Sequence, residues 1–188
     1  MITIDEKGLA EAQKLLKYMP NAVPKTAARA INRAATAAKT EAWKQVKKEY
    51  TVKQTYVKRA WDKISKASPG RLEAKLVSKG SVMALSYFTH KPKSVPKRRP
   101  KNPVYVQVRR DGGGRIAHAF LATMKSGHTG IFTRAGKSSY PIDQKYGPSV
   151  PQMLGNKMVS GFIEERATAV LNQRFEHEVQ AILNGVAK

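Results

Sequence analysis

The sequence predicts an α+β protein with N-terminal helices, a central antiparallel β meander and a long C-terminal helix. Apolar residues recur at helical spacing at both ends of the chain, and the period changes to two in the middle, as in strands. The 188 residues, 41% of them hydrophobic, are enough to bury one core. We therefore expect one domain over residues 1–188, with a helical part (1–66), a sheet (70–135) carrying a basic loop (89–103), and a helix (150–184).

Three helices are predicted in the first third of the chain. Asp5 is a candidate cap for a short helix over Glu6–Tyr18. A longer helix over Pro24–Glu49 has an apolar stripe made mostly of alanine, which lets another backbone approach closely. Thr51 is a candidate cap for a third helical segment over Lys53–Ile64.

Three basic residues of the long helix, Lys25, Arg29 and Arg33, are spaced by four and therefore share one face. Two interpretations stay open from the sequence. The stripe is either a solvated flank of the helix or a surface that faces phosphate or an acidic neighbour.

Five strands are predicted in the middle of the chain, because apolar and polar residues alternate and glycine-rich segments lie between the runs. The strands are Leu72–Leu76, Met83–Phe88, Val104–Arg110, Arg115–Met124 and Ile131–Thr133. Asp111–Gly114 and Gly127–Gly130 are the turns that join the last three. The predicted arrangement is an antiparallel meander.

A basic, proline-rich insert, HKPKSVPKRRPKNP, separates two of these strands at residues 90–103. Its prolines disfavour a helix or a central strand, so we expect a mobile loop. Arg109 and Arg110 follow in the next strand as further cations. The candidate contacts to DNA or an acidic surface are Lys91, Lys93, Lys97, Arg98, Arg99, Lys101, Arg109 and Arg110.

The last predicted element is a helix over Val150–Asn184, with Ser149 at its cap. Unbroken, it would exceed about 45 Å in length. Gly155 and Gly161 are candidate positions for a bend. A helix this long with one apolar side needs a partner surface, either the sheet or another subunit.

The net charge of +22, from 35 Lys+Arg against 13 Asp+Glu, predicts a negatively charged partner. Residues 150–188 are neutral, so the whole excess lies in residues 1–149. Nucleic acid, an anionic membrane surface and acidic protein surfaces are the candidates. No apolar run approaches the length of a membrane span, and the N-terminus lacks the pattern of a signal peptide.

Catalysis is not expected from the residues present. A nuclease would need clustered carboxylates to hold Mg²⁺, and the acids are spread over predicted helices and turns. The chain has no cysteine, and its four histidines are scattered singly. Gly112–Gly114 lacks the Gly-Lys-Ser/Thr ending of a phosphate-binding loop. We therefore expect no enzyme activity, no cofactor and no metal.

Two segments carry a resemblance to a known family. Asn21–Ala35 reads NAVPKTAARAINRAA, and Ile131–Met153 reads IFTRAGKSSYPIDQKYGPSVPQM. Both are similar to segments of the minor tail protein Z family of tailed bacteriophages and prophages. The glycine turn and Ala119–Phe120 fall between them in the order that the family shows.

This resemblance implies a structural virion protein at the head-proximal end of the tail, which assists tail completion, head–tail joining and DNA passage. The implied partners are further copies in a ring, sixfold by analogy, other tail or neck proteins, and DNA without sequence specificity, but no membrane. The implied location is the virion tail, after assembly in the host bacterial cytoplasm.

From the residues themselves, the second segment is best interpreted as a hinge between a strand and the C-terminal helix. Its prolines restrict the backbone, and its glycine permits a turn. Arg134 and Lys137 either contact the next subunit or only decorate a turn. The candidate hinge and interface residues are Arg134, Lys137, Tyr140, Pro141, Tyr146, Gly147 and Pro148.

The alternative function is non-specific nucleic-acid binding through the basic face. Residues 89–103 contain no aromatic side chain, so such binding would rest on backbone electrostatics. Assembly predicts a defined oligomer that persists at high salt. Nucleic-acid binding alone predicts a monomer whose binding collapses between about 50 and 200 mM salt.

Overall fold

The structure is a computed structural model that describes residues 22–62, 64–98 and 100–184. The predicted short helix over Glu6–Tyr18 lies outside these residues. The described residues fall into two compact units. We call them the helical unit (22–45, 61–77 and 157–184) and the β-rich unit (46–60 and 78–156).

The described chain confirms the predicted fold class, with a long helix first, antiparallel strands in the middle and a long helix last. The helices are α1 (Ala22–Glu49), α2 (Gln54–Arg59), α3 (Val150–Leu154) and α4 (Lys157–Leu183). The strands are β1 (Met83–Ala84), β2 (Thr89–Lys91), β3 (Tyr105–Arg109), β4 (Gly112–Arg115), β5 (Phe120–Thr123), β6 (Thr129–Arg134), β7 (Ile142–Gln144) and β8 (Tyr146–Gly147).

In the helical unit, the alanine stripe of α1 packs on α4. Ala27, Ala30 and Ala34 are buried in one cluster with Leu171, Phe175 and Val179. The small alanine side chains let the large side chains of α4 approach the α1 backbone, which follows the predicted role of the stripe. Each large side chain buried here contributes about 1.5–3 kcal/mol to stability.

In the β-rich unit, the strands form three antiparallel sheets rather than one meander. Two are three-stranded, in the orders β2-β3-β4 and β5-β6-β7, and β1 pairs with β8 in a short ladder. The predicted strand over Arg115–Met124 is therefore wrong as one element. The chain turns at residues 116–119, where Ala119 N–H donates to the Ile116 carbonyl and His118 has a φ of 57°.

Two other predicted strands are shorter or absent. Met83–Phe88 holds a two-residue strand and then a 3-10 turn over Leu85–Tyr87. Leu72–Leu76 is extended, but it forms only isolated bridges at Lys75 and at its neighbour Arg71. The alternating sequence favoured extended backbone without specifying a sheet partner.

All three glycines of the predicted turn at Asp111–Gly114 lie in β4 itself. Arg109 pairs with Gly112, so the turn is formed by Arg110 and Asp111. The pairing register of β3 and β4 shifts between Val106 and Arg109, which marks a bulge.

The predicted helical segment Lys53–Ile64 is shorter than expected, because α2 ends at Arg59. The predicted C-terminal helix is broken into α3 and α4 at Gly155 and Asn156. Gly155 is the C-cap residue of α3, and its backbone N–H donates to the Pro151 carbonyl. At Gly161, in contrast, α4 continues unbroken. At ~1.5 Å per residue, the 27 residues of α4 span about 40 Å.

Candidate functional site

The basic loop connects β2 to β3, which pair antiparallel with Lys91 opposite Tyr105. It is thus the long connection of a hairpin. Lys91 lies at the end of β2, and Arg99 lies outside the described residues. The other predicted contact residues of the loop are exposed: Lys93, Lys97, Arg98 and Lys101. The structure therefore holds these cations on one solvent-exposed connection, where they can meet an anionic surface.

The second end of the loop is fixed by packing and hydrogen bonds. Val104 is 1% exposed, and its carbonyl accepts a 2.9 Å hydrogen bond from the Ile116 N–H. Arg115 Nη1 donates to Asn102 Oδ1 at 3.2 Å. The loop therefore leaves the sheet from a fixed base.

Arg109 and Arg110 are engaged within the β-rich unit. Arg109 Nη2 lies 3.2 Å from Asp111 Oδ2 and 3.8 Å from Glu49 Oε2. Arg110 donates through Nε to the Lys47 carbonyl at 2.8 Å, and its backbone N–H donates to the Glu49 carbonyl at 2.8 Å. Arg110 thus satisfies free carbonyls at the C-terminal end of α1, where a cation is also favoured by the helix dipole. Their predicted contact with an outside anion stays a prediction.

Most of the net charge belongs to the β-rich unit. Its sequence ranges hold 19 Lys+Arg and three acids, a net of +16 out of +22. The three acids are Glu49, Asp111 and Asp143, and the first two lie beside Arg109. The unit thus has few acids of its own with which to neutralise its exposed cations.

The strand-to-helix segment begins on β6. The guanidinium carbon of Arg134 lies 4.9 Å from the centre of the Phe120 ring, which is a cation–π contact within the chain. The loop that follows is closed by Ala135 N–H, which donates to the Pro141 carbonyl at 3.1 Å. Lys137 and Pro141 are exposed on it, and Tyr140 is 76% exposed. This loop is accessible for a contact with another molecule.

The next part of the segment forms strands that the sequence did not reveal. β7 pairs with β6, and β8 pairs with β1. Tyr146 is 54% exposed, and its hydroxyl donates to Gln144 Oε1 at 3.3 Å. Gly147 lies in β8 opposite Met83. A β-carbon at Gly147 would lie 2.9 Å from Cε2 of the buried Phe88, so close packing explains the glycine better than a turn does.

The segment ends in a helix cap. Pro148 is half-buried, and Ser149 caps α3 in a reciprocal arrangement with Gln152. Ser149 Oγ accepts from the Gln152 N–H at 3.3 Å, and the Ser149 N–H donates to Gln152 Oε1 at 2.8 Å. The predicted cap is confirmed. The segment fixes the start of the short helix α3. The sequence had predicted a hinge that sets the angle of the whole C-terminal helix.

The basic stripe of α1 is partly neutralised within the helical unit. Arg29 Nη1 lies 3.3 Å from Glu178 Oε2 on α4, while Lys25 and Arg33 are exposed. An open groove of about 440 Å³ lies here, lined in part by Arg29, Arg33 and Lys66. Neither interpretation of the stripe is decided by these contacts.

Sequence reasoning missed the role of Asn32. Its side chain donates to the Ala67 carbonyl at 2.9 Å and accepts from the Ala67 N–H at 2.8 Å. Asparagine is a weak helix former, so its presence inside an alanine-rich helix was the available signal. Asn32 belongs to the Ala-Ile-Asn-Arg motif of α1.

In the described part of the chain, no group of three or more His, Asp or Glu side chains is arranged to hold a metal ion. The ring of His90 is hydrogen-bonded with the Phe88 carbonyl, and the ring of His128 with the Gln144 side chain. No described helix combines the length and the apolar character that a bilayer span requires.

Fold and site together define an α+β protein with a strongly basic β-rich unit and an exposed basic hairpin loop. A family model described as Prophage minor tail protein Z (GPZ) matches residues 6–187 of the 188. The chain belongs to this family of phage minor tail proteins. Comparison with curated proteins and comparison with solved structures gave no significant match.

Proposed function

We propose that this minor tail protein completes the tail at its head-proximal end, where it assists head–tail joining and the passage of DNA. The observation that carries the proposal is the family match over residues 6–187. The exposed basic loop supports it, because such a loop can neutralise the phosphates of passing DNA or the charge of an acidic neighbour.

In this proposal the chain acts as a structural component and catalyses no reaction. Its partners are further copies of itself, other tail or neck proteins, and DNA contacted without sequence readout. It is assembled in the host bacterial cytoplasm and stays in the virion tail. Some cations already have structural contacts: Arg109 lies beside Asp111, and Arg110 donates to the Lys47 carbonyl.

A second candidate function is non-specific nucleic-acid binding outside the virion. The net charge of +16 on the β-rich unit favours it. Wherever the exposed loop cations meet nucleic acid, they would contact phosphate oxygens and would not read bases.

Deletion of the gene in the phage that encodes this chain tests the proposal. We expect DNA-filled heads and tails to accumulate, with few infectious joined particles, and expression of the chain in trans to restore the titre. The second candidate predicts joined particles with a defect in DNA replication or packaging. A wild-type titre of infectious particles without the gene would contradict the proposed function.

A further inference from the structure

A short arm in the helical unit, residues Ser65–Val77, doubles back on itself. Ser68 and Arg71 exchange two backbone hydrogen bonds of 2.9 Å around Pro69 and Gly70. Ser65 and Lys75 exchange two more, at 2.9 and 3.0 Å. The arm is therefore a narrow hairpin whose second strand runs from Arg71 to Val77.

This second strand has one paired edge and one open edge. The backbone groups of Arg71 and Lys75 and the carbonyl of Val77 point to the first strand or to Asp62. Backbone groups alternate in direction along a strand, so those of Leu72, Ala74 and Leu76 point the other way. Within the residues that the structure describes, these three form no hydrogen bond.

The side chains of the strand are sorted between two faces. Arg71, Glu73 and Lys75 share one face, where Glu73 lies 3.2 Å from Arg71 and 3.9 Å from Lys75. Leu72, Ala74 and Leu76 share the other face, and Leu72 is 47% exposed. An exposed edge with an apolar face is a template for pairing with another strand.

We propose that this open edge pairs antiparallel with the same edge of a second copy of the chain, with Ala74 opposite Ala74. In this register Leu72 faces Leu76, and Glu73 faces Lys75 twice, once on each side of the two-fold axis. Opposite charges and apolar pairs directly across an antiparallel ladder are the stabilising combinations. The second copy is thus selected by the charge pattern of the strand itself.

The neighbouring registers are poorer. A shift that places Glu73 opposite Glu73 also places Arg71 opposite Lys75, which opposes like charges at three positions. A shift the other way places Lys75 opposite Lys75. Like charges directly opposite one another destabilise a ladder. All three registers use the outward-pointing backbone groups, and among them the Ala74-centred register alone places opposite charges across the ladder.

The contact goes beyond the proposed function, because it is a property of the free chain and does not depend on the tail. An isologous contact of this kind closes as a two-fold dimer. A ring would need a second, different contact. Asn32 holds the arm on α1 through Ala67, so the edge is presented by a fixed element.

Disulfide cross-linking tests the register directly, because the natural chain has no cysteine. In the full-length protein, Ala74→Cys places two cysteines in a hydrogen-bonded pair with Cα atoms about 5.5 Å apart, within disulfide range. The matched control is Leu72→Cys, whose two copies would be about 14 Å apart, since they are displaced by four residues at ~3.4 Å each. Circular dichroism verifies that both variants are folded.

We expect Ala74→Cys to form a covalent dimer under mild oxidation and Leu72→Cys to remain monomeric on a non-reducing gel. Random collision predicts the reverse order, since Leu72 is the more exposed position. Equal cross-linking of both variants, or none of either, would overturn the proposal. If neither variant forms a cross-link, the open edge would pair with a different chain.

A charge exchange provides an independent test by sedimentation velocity. Glu73→Lys alone and Lys75→Glu alone each oppose like charges across the two-fold axis and should dissociate the dimer. The double exchange restores opposite charges and should restore it. The contact would be refuted if none of the three variants changed the dimer, or if the wild-type chain were monomeric at every concentration. Neither result would bear on the location of the chain in the tail.

Discussion

Asn32 uses one side-chain amide to satisfy both backbone groups of Ala67, as a neighbouring strand would. Arg110 acts in a similar way at the end of α1, where it donates to the Lys47 carbonyl. Both side chains replace backbone partners that the local structure lacks. At this scale the sequence showed which residue types were unusual, but their partners lie 35 and 63 positions away and depend on the tertiary fold.

Asn32→Ala should lower the free energy of unfolding by about 1–3 kcal/mol. The substitution removes two hydrogen bonds and leaves the buried Ala67 backbone without these partners, although alanine is the better helix former. Urea denaturation followed by circular dichroism measures the change. The control is Thr40→Ala on the exposed side of α1, whose hydroxyl bonds only within its own helix. Equal stabilities of the two variants would contradict the assigned role of Asn32.

Gly147→Ala should destabilise the protein by about 1–3 kcal/mol, as overpacking does in well-packed interiors. The added methyl group would lie 2.9 Å from Phe88 Cε2 and 3.1 Å from Leu85 Cδ2. Gly136→Ala is the matched control, because an added β-carbon there meets nothing within 4 Å. Thermal unfolding of both variants makes the comparison, and a Gly147→Ala variant as stable as Gly136→Ala would show that the space at β8 is not limiting.

At the scale of elements, long periodic segments were predictable and short ones were not. α1 and the core face of α4 follow from apolar residues repeated over many turns. Met83–Phe88 and Arg115–Met124 have strand-like composition, but a run of a few apolar residues does not specify where it turns. β7 and β8 were hidden because they are only three and two residues long and lie next to prolines.

The basic loop was predictable as an element, because four prolines and six cations within 14 residues suit neither a helix nor a central strand. Its attachment was not predictable. It depends on the Val104 carbonyl, which accepts from the Ile116 N–H just beyond the pairing of β3 with β4. The sequence therefore indicated the charge of the candidate site, and the fold determines where the loop is anchored.

Replacing Lys93, Lys97, Arg98 and Lys101 with glutamine should weaken binding to double-stranded DNA of any sequence. The slope of log K against log salt concentration is negative, and each lost phosphate contact makes it shallower by about 0.9. The loss of four contacts should therefore make the slope shallower by about 3–4. Fluorescence anisotropy with a labelled duplex at several salt concentrations measures the slope.

The matched control replaces four exposed cations elsewhere, Lys25, Arg33, Lys44 and Lys53, with glutamine. It changes the net charge by the same amount. If both variants lose the same affinity and slope, the charge of the whole molecule attracts DNA and the loop has no special part. If neither variant changes, the loop faces protein and not phosphate.

At the scale of the whole molecule, charge is divided between the two units. The ranges of the β-rich unit carry +16, and the remaining residues carry +6. The sequence alone located the excess of positive charge in residues 1–149. It could not divide this charge between the two units, because each unit is made of stretches that are separate in the chain. The family match over residues 6–187 identifies the chain as a phage tail protein. The proposed role at the head-proximal end rests on this match and on the charge of the β-rich unit.

Cryo-EM of the head–tail junction in purified virions tests the central claim most directly. The proposal predicts density for several copies of this chain at the upper end of the tail, with the basic loop facing the DNA path or an acidic neighbour. Absence of the chain from the virion, or density confined to the far end of the tail, would contradict it.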